Sequence, residues 1–388
     1  MEKLFAICAP GLEPFTAREL YQMGLMDDSK SKPSYEFGGI EFQGSLHDVY
    51  RTNLYLRTAS RVLVRLGQFY AAGFPELRRK ACRLPWGNYL SPGRPITLRV
   101  ACQRSRLYHE TAVAERVAGA IEDRLGKPSS VHKYQEDQGT DFAQLIFVRL
   151  VDDLCTVSID SSGPLLHRRG YRLATGKAPL RETLASAMVM ASGWNKDAPF
   201  LDPFCGSGTI PIEAALLAKR VPAGHGRRFA FMDWPHFDSK FWNGLLAGVA
   251  RAIVSDIPGI IGSDRDAGAI RAAQANAERA GVGRFIDFSI RAISAIDPPS
   301  GPGWVVTNPP YGVRESQKKD LRNLYARFGK VLRAKCPDWQ VTMICDKVKL
   351  IRSTGLGFDQ GISTMNGGLK VRLVRALVSE SIQLPLRR

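Results

Sequence analysis

The segment Asn308-Pro309-Pro310-Tyr311-Gly312, directly after the apolar run Trp304–Thr307, is the stretch best suited to chemistry. Two prolines fix the backbone and remove two N–H donors, so the loop presents carbonyls and the Asn308 amide oxygen as acceptors. Acceptors so placed can grip an exocyclic amine, and Tyr311 adds a flat face on which a flipped or single-stranded base can stack. As a bare string, the same residues would also make a rigid turn with a core tyrosine. Two further motifs lift them above that.

Asp202-Pro203-Phe204-Cys205-Gly206-Ser207-Gly208-Thr209 ends one apolar run and opens a helix over 211–220. Gly206 and Gly208 let the backbone pass beneath a ligand without Cβ clashes, at the carboxyl end of a strand where open α/β sheets bind nucleotides. Phosphate binding fits poorly, because the third glycine of G-x-G-x-x-G would fall on Pro211 and no G-K-[ST] is present. A nucleotide-like cofactor is expected instead. Downstream, Gly262-Ser263-Asp264 ends the next apolar run, and Asp264 can accept bonds from ribose hydroxyls or cap a helix. The interval exceeds the usual ~20 residues, and an insertion over 221–258, rich in aromatics such as Phe229, Phe231, Trp234, Phe237 and Trp242, accounts for the excess.

These motifs need a sheet to hold them. Short apolar strands at 200–201, 260–261, 285–290, 304–306 and 341–345 alternate with helices, which predicts a parallel, doubly wound α/β sheet. Asn366-Gly367-Gly368 between 357–364 and 369–377 predicts a hairpin that adds an antiparallel strand at one edge. The N-terminal part is α+β in character. A unit over 1–65 contains a helix capped by Ser45, and a second over 66–160 contains a long helix at 111–125. A basic linker over 161–180 and a third domain over 181–388 complete the expected organisation.

The charge points to a polyanion. Across 388 residues, 54 Lys and Arg against 37 Asp and Glu give +17, while 44% apolar residues suffice for real cores. Residues 65–106 hold nine basic residues against one acidic. Arg78, Arg79, Lys80, Arg83 and Arg104 lie there among Phe69, Tyr70, Phe74, Trp86, Tyr89 and Tyr108, which suits phosphate contact with base stacking; a solvated helix face over an aromatic core is the alternative. The seven cysteines are scattered without a C-x-x-C pair, and the six histidines lack zinc spacing, so no disulfide framework and no metal are expected. With no apolar run of about 18 residues and no hydrophobic signal core after Met1, a cytoplasmic location is expected.

The order D-P-F-C-G-S-G-T, G-S-D, N-P-P-Y-G resembles class I S-adenosylmethionine-dependent amino-methyltransferases. Leu84-Pro85-Trp86, Ser105-Arg106-Leu107-Tyr108-His109, His167-Arg168-Arg169-Gly170-Tyr171-Arg172 and the A-P-L-R-E-T-L-A segment over 178–185 narrow the likeness. Together they resemble the bacterial THUMP-domain RNA methyltransferases, above all the 23S rRNA guanine-N2 enzymes and their tRNA relatives. The resemblance implies a Rossmann-like methyltransferase domain preceded by ferredoxin-like and THUMP RNA-binding domains, with RNA as partner. It implies that Asp202, Phe204, Cys205, Gly206, Ser207, Gly208 and Thr209 line the methionine end of S-adenosylmethionine, and that Asp264 holds the ribose. Thr183 would approach the cofactor carboxylate. Asn308 would face both cofactor and substrate, with Pro309, Pro310 and Tyr311 beside it. By their charge and their place between the basic block and the catalytic domain, Arg168, Arg169 and Arg172 are expected to meet RNA. The sequence departs from the family after the third strand. Ser289-Ile290-Arg291-Ala292 stands where an Asp usually meets the adenine amine, leaving that contact to backbone or to Asp287. With 23S rRNA as the expected substrate, guanine-N2 methylation of tRNA and adenine-N6 methylation of DNA or RNA are the enzymatic alternatives, and an RNA-binding ribosome-assembly module the non-enzymatic one.

Overall fold

The computed structural model describes residues 1–27, 35–36, 38–134, 143–173, 180–311 and 321–378. Ala178, Pro179 and Gly312 of the motifs above, and residues 174–179 of the expected linker, lie outside them. The chain divides into two units. One comprises 1–8, 16–166 and 224–248, the other 9–15, 167–223 and 249 onward.

The first unit is built on β1 (Glu2–Cys8), α1 (Glu13–Gln22), β2 (Tyr35–Glu36), β3 (Gly39–Gly44), α2 (Leu46–Tyr55) and β4 (Ala59–Tyr70), followed by α3 (Phe74–Cys82), β5 (Ile96–Gln103), α4 (Glu110–Leu125), β6 (Val131–His132), β7 (Gln144–Val151) and β8 (Leu154–Asp160). Ser45 caps α2 as expected. Its hydroxyl accepts from the Asp48 N–H, and the Asp48 carboxylate accepts from the Ser45 N–H, closing a reciprocal box. All eight strands form one sheet in the order β2-β3-β1-β4-β8-β7-β5-β6. The sheet therefore runs unbroken through the expected boundary at 65/66. The reason is the length of β4, whose first half pairs with β1 while its 63–70 portion pairs with β8, across a register shift between Arg65 and Gly67. One long strand thus removes two sheet edges that separate domains would leave open.

The second unit contains α5 (Glu182–Ala191), β9 (Phe200–Asp202), α6 (Thr209–Ala218), the end of α7 (Ser239–Ala252), β10 (Ile260–Asp264), α8 (Ala267–Arg279), β11 (Ile286–Ile290), β12 (Trp304–Thr307), α9 (Arg322–Lys335), β13 (Gln340–Cys345), α10 (Val348–Ser353), β14 (Ile362–Asn366) and β15 (Leu369–Leu377). Its sheet order is β11-β10-β9-β12-β13-β15-β14. The first five of these are parallel, and β15 pairs antiparallel with β13 and with β14, so the hairpin forms the edge that the sequence predicts. Strand order reverses between β9 and β12, which opens a crevice at their carboxyl ends. Tyr325, Phe328 and Leu332 on α9 are buried with Val305 of β12 and with Trp339, Val341 and Met343, and this core fixes the height of the loop after β12.

The aromatic insertion does not extend the second unit. Residues 224–248 fold with the first, where Phe231 stacks on Tyr50 of α2 at 4.4 Å and Trp242 meets the same ring edge-on. No helix among the described residues is long and apolar enough to cross a membrane.

Candidate active site

Three strand ends of the second unit converge on one set of acceptors. Asp202 closes β9 and is almost fully buried. Its Oδ1 accepts from the Thr307 hydroxyl at 2.6 Å and from the Phe204 N–H at 3.1 Å, tying the ends of β9 and β12 together. Its Oδ2, the Ser263 Oγ on β10 and the Asn308 Oδ1 after β12 are all buried without a hydrogen-bond partner among the described residues. A buried acceptor left unmade costs ~1–3 kcal/mol. Three such atoms at the mouth of one crevice mark a place shaped for a ligand.

The glycine loop is held from below. Gly206 N–H donates to Asp264 Oδ2 at 3.0 Å, Cys205 N–H to the Ser263 carbonyl at 3.0 Å, and Gly208 N–H to the Cys205 carbonyl at 2.8 Å. Gly208 has φ +83°, and a Cβ there would come within 3.0 Å of Ala273 on α8 and 3.1 Å of Phe288 on β11. Only glycine satisfies both the left-handed backbone and the close packing. Gly206, at φ +52°, is different, since a Cβ there would meet open space. Its need is conformational, and the space above it is room for a ligand. Asp264 does not cap α8. Asp266 does, accepting from Ala269 N–H at 2.9 Å, while Asp264 Oδ1 accepts from Asp266 N–H at 3.0 Å. Each Asp264 oxygen so used keeps capacity for a further donor.

Burial pushes the Asp202 carboxyl up to about 7, against the pull of Thr307 and Phe204, with the nearby Asp264 carboxylate adding to the rise. The unfolded reference is 3.8. This stabilising contribution is complete below about 4 and is lost as pH rises through about 7, because the folded state holds the proton longer than the unfolded one. Asp202→Asn keeps an acceptor for both donors and cannot ionise. Its Tm relative to the parent is expected to rise between about pH 4 and 7, and a constant difference across that window in thermal melts would contradict the assignment. The Cys205 thiol is raised well above its ordinary range by burial and by the Asp202 and Asp264 charges, which removes it as a nucleophile.

The Asn-Pro-Pro-Tyr loop is braced at two points. Tyr325 donates its hydroxyl to the Pro310 carbonyl at 3.2 Å, and Asn366 donates its amide to the Tyr311 hydroxyl at 2.7 Å. Burial pushes Tyr311 up to about 12, so it stays a neutral phenol. The ring packs partly against the α9 core, as a rigid turn with a core tyrosine would have it. With the Pro310 carbonyl engaged, Asn308 Oδ1 is the loop's buried acceptor without a partner among the described residues.

Other expected residues are placed variously. Thr209 opens α6 and is buried, whereas Phe204 meets Phe328 edge-on at 5.5 Å. Thr183 is buried in the first turn of α5, which packs on α6. On β11, Asp287 is exposed opposite Ile261 and Ser289 lies opposite Ser263. Thr307, Tyr325 and Asn366 were not evident from the sequence. A hydroxyl ending an otherwise apolar strand is a signal for Thr307, but nothing in the sequence pairs Asn366 with Tyr311.

The basic residues require correction. Arg169 is buried 3.6 Å from Glu213, and Arg172 bonds the Leu180 carbonyl and lies 3.2 Å from Glu182, so both serve the interior rather than an RNA face. Arg78 forms a two-point pair with Asp123, Arg104 another with Asp152, and Lys80 meets Glu76 at 2.7 Å. Asp123 and Asp152 from outside the basic block, and Glu76 within it, thus neutralise part of it. Arg79, Arg83 and Arg168 are exposed.

A doubly wound sheet with a glycine loop at its reversal, an acidic residue at the next strand end and an Asn-Pro-Pro-Tyr loop defines a methyltransferase domain that uses S-adenosylmethionine. The chain belongs to the RMKL-like methyltransferase domain family, whose model matches residues 169–375, and the RlmL ferredoxin-like domain matches residues 3–63. A Synechocystis sp. protein provisionally named an RNA methyltransferase is 34% identical over 96% of this chain and 95% of its own length. The ribosomal RNA large subunit methyltransferase K/L of Methylococcus capsulatus is 34% identical over 95% of this chain and 50% of its own. The chain therefore spans about half the length of such K/L relatives. A crystal structure of a provisionally named methyltransferase complexed with SAH superposes with a TM-score of 0.85, at 28% identity over 98% of each chain. The open space over Gly206, the spare capacity of Asp264 and the unpartnered acceptors fit that cofactor.

Proposed function

We propose that this protein transfers a methyl group from S-adenosylmethionine to the N2 amine of a guanosine in RNA, with 23S rRNA as the substrate class. The observation that carries the amine is Asn308 Oδ1, a buried acceptor without a partner among the described residues, in a proline loop whose Pro310 carbonyl is already engaged by Tyr325. The names of the relatives support RNA, and the H-R-R-G-Y-R and A-P-L-R-E-T-L-A resemblance supports guanine N2.

A guanine N2 amine is a poor nucleophile because its lone pair is delocalised into the ring. Asn308 Oδ1 and the Pro309 carbonyl accept its two N–H groups and favour a pyramidal nitrogen. When bound, S-adenosylmethionine supplies an electrophilic methyl group. Asp264 and the loop from Asp202 to Thr209 hold the cofactor, Thr183 approaches its carboxylate, and Tyr311 stacks on the base. The domain mainly positions the two reactants. No strong general base is needed, since the methylated cationic nitrogen is acidic enough to release its proton to water.

Residues 66–160 form the RNA-binding THUMP region in this reading, with Arg79 and Arg83 as exposed phosphate contacts and Arg168 a further one. Changing Arg79 and Arg83 together to glutamine is expected to weaken RNA binding and to reduce the log–log salt slope by about 1–2. An unchanged slope in a salt titration would remove this block from the RNA face.

The experiment is labelled-methyl transfer into rRNA, tRNA and DNA, followed by nucleoside analysis. N2-methylguanosine in rRNA is the expected product, and N2-methylguanosine confined to tRNA would move the substrate class. N6-methyladenine would overturn the guanine reading, and no transfer to any substrate would favour a binding module.

A further inference from the structure

Asn276 is fully buried near the end of α8, where a core helix would ordinarily carry alanine or leucine. Its amide is used on both sides. Nδ2 donates to the Ser207 carbonyl at 3.0 Å, and Oδ1 accepts from the Arg279 guanidinium. Arg279 in turn donates through Nε to the Tyr171 carbonyl at 2.8 Å. The Tyr171 hydroxyl donates to Glu213 on α6 at 3.0 Å, where Ser186 of α5 also donates. The H-R-R-G-Y-R segment is therefore joined, through Arg279 and Asn276, to the middle of the glycine loop.

We infer that Asn276 is a positioning residue that orients Ser207 for the cofactor, and that Tyr171 and Arg279 hold Asn276 in place for this. The inference rests on the assignment of the loop to the cofactor made above. Ser207 stands between two left-handed glycines, Gly206 at φ +52° and Gly208 at φ +83°, which supply little steric restraint of their own. The neighbouring N–H groups of Phe204, Cys205, Gly206 and Gly208 are all bonded within the protein. The Ser207–Gly208 peptide is fixed at both ends, by Asn276 on its carbonyl and by Cys205 on its N–H. The loop thereby keeps one shape before the cofactor arrives, which lowers the ordering cost of binding. An asparagine is required because one small side chain must donate to a carbonyl and accept from a guanidinium at once.

The discriminating variant is Asn276→Asp, which keeps the shape and the Arg279 partner but sets a carboxylate against the Ser207 carbonyl. Calorimetric titration with S-adenosylmethionine is expected to show Kd raised by about 10-fold to 100-fold. At saturating cofactor, kcat should stay within about twofold, so the loss lies in the cofactor KM. Asn276→Ala, which removes both bonds without burying a charge, should raise Kd in the same direction and serves if the aspartate variant does not fold. Wild-type cofactor affinity in either folded variant, with only Tm lowered, would overturn the inference and leave a structural role. Asp264→Ala is the control for the underlying assignment. If it too binds normally, the loop is not the cofactor's; if it alone loses affinity, only the role of Asn276 fails.

Discussion

Asn308→Ala is expected to lower methyl transfer by about 10²–10³-fold while cofactor affinity stays within about threefold of the parent. The oxygen it removes is buried without a partner among the described residues, at the end of β12, where Thr307 is already bonded to Asp202. Among the described residues no hydrogen bond depends on that oxygen, so folding should survive its loss. The substrate amine would lose the acceptor that aims its lone pair, an effect felt in the transition state rather than in cofactor binding. Asn308→Asp retains an acceptor and is expected to keep more activity than the alanine variant. Stopped-flow or single-turnover transfer with isothermal titration of the cofactor separates the two quantities. Full activity in Asn308→Ala would sink the role of the loop.

Asp264→Ala carries the second large effect. The carboxylate holds the Gly206 N–H at 3.0 Å and the Asp266 N–H at 3.0 Å, so its removal loosens the loop and the entry to α8 together. In the proposed site it also accepts from the ribose. Two charge-assisted bonds of ~1.5–3 kcal/mol each correspond to a cofactor Kd raised by about 10²–10⁴-fold. Asp264→Asn keeps one acceptor oxygen and should fall between. A cofactor affinity within about threefold of the parent in Asp264→Ala would place the ribose elsewhere.

Much of the second unit was legible because its strands are short apolar runs that end on polar residues. Phe200–Asp202, Ile260–Asp264 and Trp304–Thr307 each end on a polar side chain that faces the crevice or holds its neighbour. A buried parallel sheet forces that pattern, since polar groups can emerge only at strand ends. Less was legible where the outcome depended on distant partners. The sequence shows that Arg169 and Arg172 are positive, but Glu213 and Glu182, which draw them inward, are not adjacent in the chain. The same holds for Asn276 with Ser207 and for Asn366 with Tyr311, pairs separated by 69 and 55 positions. The insertion over 221–258 was visible as aromatic, yet its packing on Tyr50 follows only from the fold. Long strand β4 likewise hides a fusion, because alternation shows that a strand exists without showing how many neighbours it pairs with.

The central claim is an RNA guanine amine as methyl acceptor, and it is tested most directly by comparing nucleoside-resolved modification maps of 23S rRNA from cells with and without the gene. Loss of an N2-methylguanosine, restored by the parent protein and not by Asn308→Ala, is the predicted result. Unchanged N2-methylguanosine together with loss of an N6-methyladenosine would contradict it.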